Sequence, residues 1–299
     1  MLADFIATLD PPLLGCGHVP VVADQVLATR SRARAARQFH RDAREQQRLE
    51  PRVQPRPPQA GADRLAEDDR VVAHHRLGET EPILQVEVEL ERVLPVIETL
   101  AQRVVVPISI DTAKAAVARR ALAAGASMIN DISALRHDPE MTGVVAESGV
   151  PVILMHMLGS PQTMQVTPVY RDVVAEIGAF LAQAVNKAEK GGIARDRIII
   201  DPGIGFGKTV DHNLLLIKNL AQLQDLDLPI LIGPSRKAFI RKLLKEKPEE
   251  EIRPEMTIVG TGTLAAVCTS VLNGAHIVRV HEVASARAAV KIIDAILDA

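Results

Sequence analysis

The sequence predicts an α/β fold, a (β/α)8 TIM barrel, with the first two strands not legible in residues 1–85. Three observations carry this. Short apolar runs alternate with helical periodicity from residue 84 to 298, the pattern of a parallel sheet covered by helices. The runs are apolar along their whole length, as strands buried on both faces are. Each of six runs ends in polar or charged residues at its C-terminal tip, the face on which a barrel carries its site. A doubly wound open sheet would gather its ligand groups at one switch point instead.

Taken in order, the run 104–110 closes on Asp111 and Thr112, and 127–129 closes on Asn130 and Asp131. The run 151–155 delivers His156, and 197–200 delivers Asp201. Residues 229–233 lead into Pro234, Ser235, Arg236 and Lys237, and 276–278 into Arg279, Val280, His281 and Glu282. Helical patterns occupy 84–102, 113–124, 138–148, 171–190, 211–223, 257–273 and 284–298.

Length and charge bound the function. A chain of 299 residues suits one barrel domain of about 250 residues. A net charge of −2 offers no basic face, so nucleic acid is not an expected partner. No apolar run approaches the ~20 residues of a membrane helix, and the N-terminus has no charged region followed by an apolar core. Cys16 and Cys268 are too few for a disulfide framework and lack metal-ligand company, so a reducing cytoplasm is expected.

The composition divides the chain in two. Residues 1–113 contain no lysine, and all ten lysines fall from Lys114 onward. Twelve arginines lie from Arg30 to Arg76, around Pro51, Pro55, Pro57 and Pro58. Residues 1–85 therefore read as an atypical Arg/Pro-rich segment and 86–299 as the barrel domain. The first segment is either a disordered arm or coding sequence read out of frame, since GC-rich DNA in a shifted frame gives Arg-rich, Lys-free protein.

The most informative motif follows the fourth run: Asp201, Pro202, Gly203, Ile204, Gly205, Phe206, Gly207, Lys208. A buried strand presents a carboxylate at its tip and then breaks into a loop whose glycines let backbone approach a flat or anionic ligand. The plain alternative is a tight strand-to-helix turn with a solvated Asp. The same arrangement at five other tips argues for a site.

Residues 108–112, 129–132, Met155-His156-Met157 with Gly159, Pro161 and Met164-Gln165, 201–208, 234–237 and 279–281 together resemble dihydropteroate synthase. They stand in that family's order over about residues 87–299. The resemblance implies a pterin-binding barrel of folate biosynthesis. Such enzymes join 4-aminobenzoate to 6-hydroxymethyl-7,8-dihydropterin diphosphate and release pyrophosphate. It also implies Mg2+ and a cytoplasmic homodimer working on small-molecule substrates.

Within that resemblance the chemistry assigns residues. An ionised Asp201 accepts from the pterin donor edge, where charge-assisted bonds are strong, and Asn130 offers both a donor and an acceptor. Asp111 completes the polar lining, Met155 packs the ring face, and Lys237 reaches the pterin carbonyl side. Ser235 and Phe206 serve the carboxylate and ring of 4-aminobenzoate. Arg279 and His281 meet the diphosphate as charge develops on the leaving group. Lys237, Arg279 and His281 form the catalytic set, and no residue is assigned to metal. His156 reads as a satisfied structural histidine, and Lys208 as a residue that orients the loop. Glu147, Glu189 and 245–253 read as solvated faces.

The chain also departs from the family. Neither the opening motif, whose Asn binds magnesium-diphosphate, nor the second-strand Arg-Pro loop is present; Gly78, Glu79 and Thr80 are a poor echo. Heavily impaired turnover with surviving pterin binding is the expectation. Two other readings stand beside the synthase: a non-catalytic pterin binder, and a methyltetrahydrofolate-binding module. Residues 234–237 and 279–281 speak against that module, which has no diphosphate to bind.

Overall fold

The structure, a computed structural model, describes residues 25–28, 81–159, 164 and 167–299. Its strands are β1 (Gln25–Ala28), β2 (Ser109–Asp111), β3 (Met128–Asp131), β4 (Val152–Met155), β5 (Ile198–Asp201), β6 (Leu231–Ile232) and β7 (Ile277–Val280). The helices are α1 (Glu81–Arg103), α2 (Ala115–Ala123), α3 (Met141–Ser148), α4 (Val173–Lys190), α5 (Val210–Lys218), α6 (Ala238–Leu243), α7 (Thr257–Leu272) and α8 (Val283–Leu297). Strands β2 to β5 are neighbours in parallel register. A parallel bridge between Ile200 and Ile230 carries the arc on to β6, which pairs with β7. This is the (β/α)8 order over the six strands legible in the sequence.

Barrel closure is not seen among the described residues. β1 runs antiparallel to β7, from Gln25 opposite Val280 to Ala28 opposite Ile277, whereas every strand of a (β/α)8 barrel is parallel. In the N-terminal segment the apolar runs Val19 to Val22 and Val71 to His75 are the sequence's candidates to substitute for the two missing strands; both lie outside the described residues, as does nearly all of the 1–85 segment.

Local chemistry explains the helices. At the start of α4, Asp172 accepts from the N–H groups of Val174 and Ala175 at 3.1 and 3.0 Å. Glu176 sits in the first turn and Lys187 and Lys190 in the last, matching the helix dipole. Val174, Ile177, Leu181, Ala184, Val185 and Ala188 form its buried stripe.

Three elements differ from the sequence expectation. The strand expected from residue 104 starts at Ser109, because α1 runs to Arg103 and Pro107 cannot donate to a ladder; Val105 is 83% exposed. The helix expected over 211–223 stops at Lys218, where Asn219 Nδ2 donates to the carbonyl of Leu215 at 2.9 Å. A 3-10 turn follows over Leu220–Leu226. The short helix α6 was not expected.

The sheet buries two apolar layers. Val152, Leu154, Ile198, Ile200, Ile232 and Val278 face the helices in the main core. Met128, Ile153, Ile199, Leu231 and Ile277 form a separate inner cluster, one residue from each of five strands. That cluster is the floor of the barrel interior. Two residues further along β3, β4, β5 and β7 the side chain points the same way, and there stand Asn130, Met155, Asp201 and Arg279, with Gly233 in the matching place just past β6.

Candidate active site

Those five positions line one cavity of about 590 Å³, with Asp111, Phe206, Ser235, Lys237 and His281. Every residue assigned from the sequence to pterin, 4-aminobenzoate or diphosphate is therefore brought to a single opening at the C-terminal ends of the strands. Gly233 adds no side chain to the ring, and this widens the cavity where β4, β5 and β7 contribute Met155, Asp201 and Arg279.

The polar groups form two sets. On one side, Asn130 Nδ2 donates to Asp111 Oδ1 at 2.8 Å, and Arg279 Nη2 donates to Asp111 Oδ2 at 2.6 Å. Asn130 Oδ1 is buried without a hydrogen-bond partner, so the site holds an acceptor whose desolvation a ligand donor would repair. On the other side, Ser235 Oγ lies 2.8 Å from His281 Nδ1 and accepts from the His281 N–H at 3.2 Å. The Lys237 ammonium stands 3.9 Å from the centroid of the Phe206 ring.

Asp201 forms the floor between them. Its Oδ1 accepts from the N–H of Gly203 at 2.6 Å. Burial pushes its carboxyl up to about 6, against the pull of that N–H and of Lys208, Lys237 and Arg279. The loop after it is tightly fixed. Gly203 (φ +71°) approaches the carbonyl oxygen of His156 so closely that a Cβ would stand 1.9 Å from it. The N–H of Gly205 donates to Asn213 Oδ1 at 2.7 Å, and the hydroxyl of Tyr170 donates to the carbonyl of Gly207 at 2.9 Å. His156 is buried and stays outside the cavity lining; burial, with Lys208 and Arg136 nearby, lowers its pKa to about 3.

Two supporting roles escaped the sequence reading: that of Glu89, and that of Arg236, which the sequence places at a strand tip without assigning it partners. Glu89 on α1 accepts from the Thr112 hydroxyl at 2.7 Å and pairs with Lys114 at 2.7 Å, tying α1 to the tip of β2. No spacing rule marks it, since its partners are more than twenty residues away. Arg236 (φ +57°) donates its N–H to Thr263 Oγ1 at 3.2 Å and pairs with Glu282 at 2.9 Å. A left-handed non-glycine residue between Ser235 and Lys237 is a strained turn, as sites often hold.

Fold and cavity define a barrel enzyme whose site combines a buried carboxylate and amide with a cationic rim. The model of the family described as pterin binding enzyme matches residues 78–281. The dihydropteroate synthase of Synechocystis sp. is 45% identical over 208 residues, which cover 70% of each chain. Two structures of the Xanthomonas albilineans dihydropteroate synthase, one in complex with 7,8-dihydropteroate and one with 4-aminobenzoic acid, superpose with a TM-score of 0.65 at 42% identity. They cover 72% of this chain and 78% and 73% of theirs, respectively. The chain belongs to the pterin-binding enzymes, in the dihydropteroate synthase family. Its function is accordingly that of a transferase of folate biosynthesis.

Proposed function

We propose that this chain binds 6-hydroxymethyl-7,8-dihydropterin diphosphate in the cavity, with its ring on the floor and its diphosphate at the rim. The observation that carries this is the convergence of Asp111, Asn130, Met155, Asp201, Phe206, Ser235, Lys237, Arg279 and His281 on one opening. In this reading Asp201 accepts from the 2-amino and N3–H groups, and the unpartnered Asn130 Oδ1 accepts from a further ring donor. Met155 packs the ring face, and Lys237 meets the pterin carbonyl side. Phe206 and Ser235 receive the ring and carboxylate of 4-aminobenzoate, placing its amine against the pterin methylene carbon. The amine displaces the diphosphate in line, the new C–N bond forming as the C–O bond breaks, and the amine loses its proton to solvent. Arg279 and His281 stabilise the departing pyrophosphate. A weakly basic aromatic amine needs no strong general base, so positioning and leaving-group electrostatics supply the catalysis.

Magnesium, implied by the resemblance, finds no group of three His, Cys, Asp or Glu among the described residues. Asp111, the acid at the rim, is engaged by Arg279 and Asn130. No step here runs through the ion.

A homodimer is supported by α7 and α8, which pack together and leave Ile258, Leu272, Ile292, Ile296 and Leu297 exposed. Among the described residues no helix is long and apolar enough to cross a membrane. We place the reaction in the cytoplasm, where a diphosphate ester that cannot cross a bilayer would be made and used.

The test is calorimetric titration with the dihydropterin diphosphate, with and without magnesium and 4-aminobenzoate, alongside a pyrophosphate-release assay. Because both N-terminal motifs are missing from the sequence, pterin binding with heavily impaired turnover is expected. Ordinary steady-state turnover refutes the impairment; absence of any pterin binding refutes the site.

A further inference from the structure

Lys208 takes no part in the reaction above, yet it is a lysine only 5% exposed, packed beneath the site. An ammonium in such a place is costly unless its donors are met. Two are met. Nζ stands 3.1 Å from His156 Nδ1 and donates to the carbonyl of Phe206 at 2.9 Å.

His156 is a firm anchor. Its N–H donates to the carbonyl of Asp201 at 2.9 Å, its own carbonyl abuts Gly203, and its ring meets Phe180 edge-on at 4.8 Å. On the far side of the loop, the Phe206 ring backs the ammonium of Lys237. Tyr170 and Asn213 also hold this loop, at Gly207 and Gly205, and the Phe206 N–H donates to the carbonyl of Gly203 at 3.1 Å; among the described residues Lys208 supplies the side-chain hydrogen bond to Phe206, at its carbonyl.

We propose that Lys208 is a positioning residue: anchored on His156, it holds the Phe206 main chain so that the ring sets the place of the Lys237 ammonium at the wall between the two substrate sites. The identity of those substrates rests on the function proposed above. The relation between Lys208, Phe206 and Lys237 is tested without it.

The first readout therefore uses no ligand. In the full chain with 13C-labelled lysine, the Lys237 ε-methylene lies over an aromatic face and is shifted upfield, a signal assigned by its loss in Lys237→Arg. In Lys208→Met, close in shape to lysine, that signal moves toward the positions of the other lysines; in Lys208→Arg, which keeps the donors, it stays at least halfway. A merely structural loss lowers Tm without moving it selectively. An unmoved Lys237 signal in Lys208→Met overturns the proposal.

The second readout is binding, with the site loaded by unreactive 6-hydroxymethyl-7,8-dihydropterin and pyrophosphate. Lys208→Met weakens 4-aminobenzoate at least tenfold while the pterin stays within threefold, and Phe206→Leu added to it costs no further affinity. Equal affinities in wild type and Lys208→Met overturn the proposal. Failure of wild type to bind either ligand overturns the functional reading, and the lysine spectrum still decides the positioning role.

Discussion

Arg279 Nη2 lies 2.6 Å from Asp111 Oδ2, a bond between β7 and β2 across 168 residues of sequence. Asp111 holds Asn130 with its other oxygen at 2.8 Å. The guanidinium is thereby aimed before any ligand arrives, and the carboxylate that aims it also orients the amide of the pterin floor. Lysine could keep the charge of Arg279 but not its planar fork. Arg279→Lys is expected to weaken dihydropterin diphosphate by about 1.5–3 kcal/mol, the usual range for a hydrogen bond to a charged group. The same pterin without its diphosphate stays within threefold. Paired calorimetric titrations check this, and equal losses for the two ligands would place Arg279 at the ring instead.

Asp201 predicts a pH dependence. Its carboxyl titrates at about 6, and the protonated form presents a donor toward pterin donors. Pterin affinity should fall as pH drops below about 6, approaching roughly tenfold per unit, the limit for one linked proton. Asp201→Asn should bind weakly at every pH and lose this slope.

The same group carries a stability signature. Its folded pKa of about 6 exceeds the unfolded value near 3.8, so the native state holds the proton more tightly between them. The resulting penalty is full above pH 6 and is relieved as pH falls toward 3.8. Asp201→Asn should therefore gain about 1–3 kcal/mol at pH 8 and little at pH 4, a trade of function for stability. His156 slopes the other way. Its folded pKa of about 3 lies below 6.5, so its contribution is lost as pH falls from 6.5 to 3. Urea denaturation across pH, comparing variant with wild type, reads Asp201 together with Lys208, whose pKa burial lowers to about 7 against the pull of that carboxylate.

Glycine positions separate geometry from space. A Cβ at Gly203 would stand 1.9 Å from the His156 carbonyl oxygen, on a backbone with φ +71°. Gly203→Ala should cost about 3 kcal/mol or more and abolish pterin binding. Gly143 in α3 has nothing within 4 Å of the same virtual atom, and Gly143→Ala should stabilise by about 0.5–1 kcal/mol with binding unchanged. Thermal melts and one titration per variant decide both.

The site was legible because barrel strands simplify it. A continuous apolar run marks a strand, and its tip must carry whatever polar group follows, so Asp201, Asn130 and Arg279 could be named without coordinates. Supporting contacts follow no such rule. The bond from Lys208 to His156 spans 52 residues, and the pairing of Arg236 with Glu282 spans 46; only packing brings them together. The start of β2 was misplaced because 104–106 is as apolar as a strand, while α1 and Pro107 exclude it from the ladder. Residues 1–85 offered neither periodicity nor tips. The antiparallel strand Gln25–Ala28 coincides with neither of the apolar runs at 19–22 and 71–75.

Glu89 shows how far such support extends. Its two oxygens take the Thr112 hydroxyl and the Lys114 ammonium, each at 2.7 Å, and Thr112 lines the cavity beside Asp111. Both charged side chains are 25% exposed, so the ion pair is partly screened and the hydroxyl bond should carry much of the effect. Glu89→Ala removes both bonds and is expected to cost about 1 kcal/mol in urea denaturation, with a three- to tenfold weaker pterin. Glu89→Gln retains an acceptor for Thr112 and loses only the charge, so it should keep most of the pterin affinity. If the two variants lose affinity equally, the Lys114 charge rather than Thr112 sets the tip of β2, and Lys114→Met should then reproduce the loss.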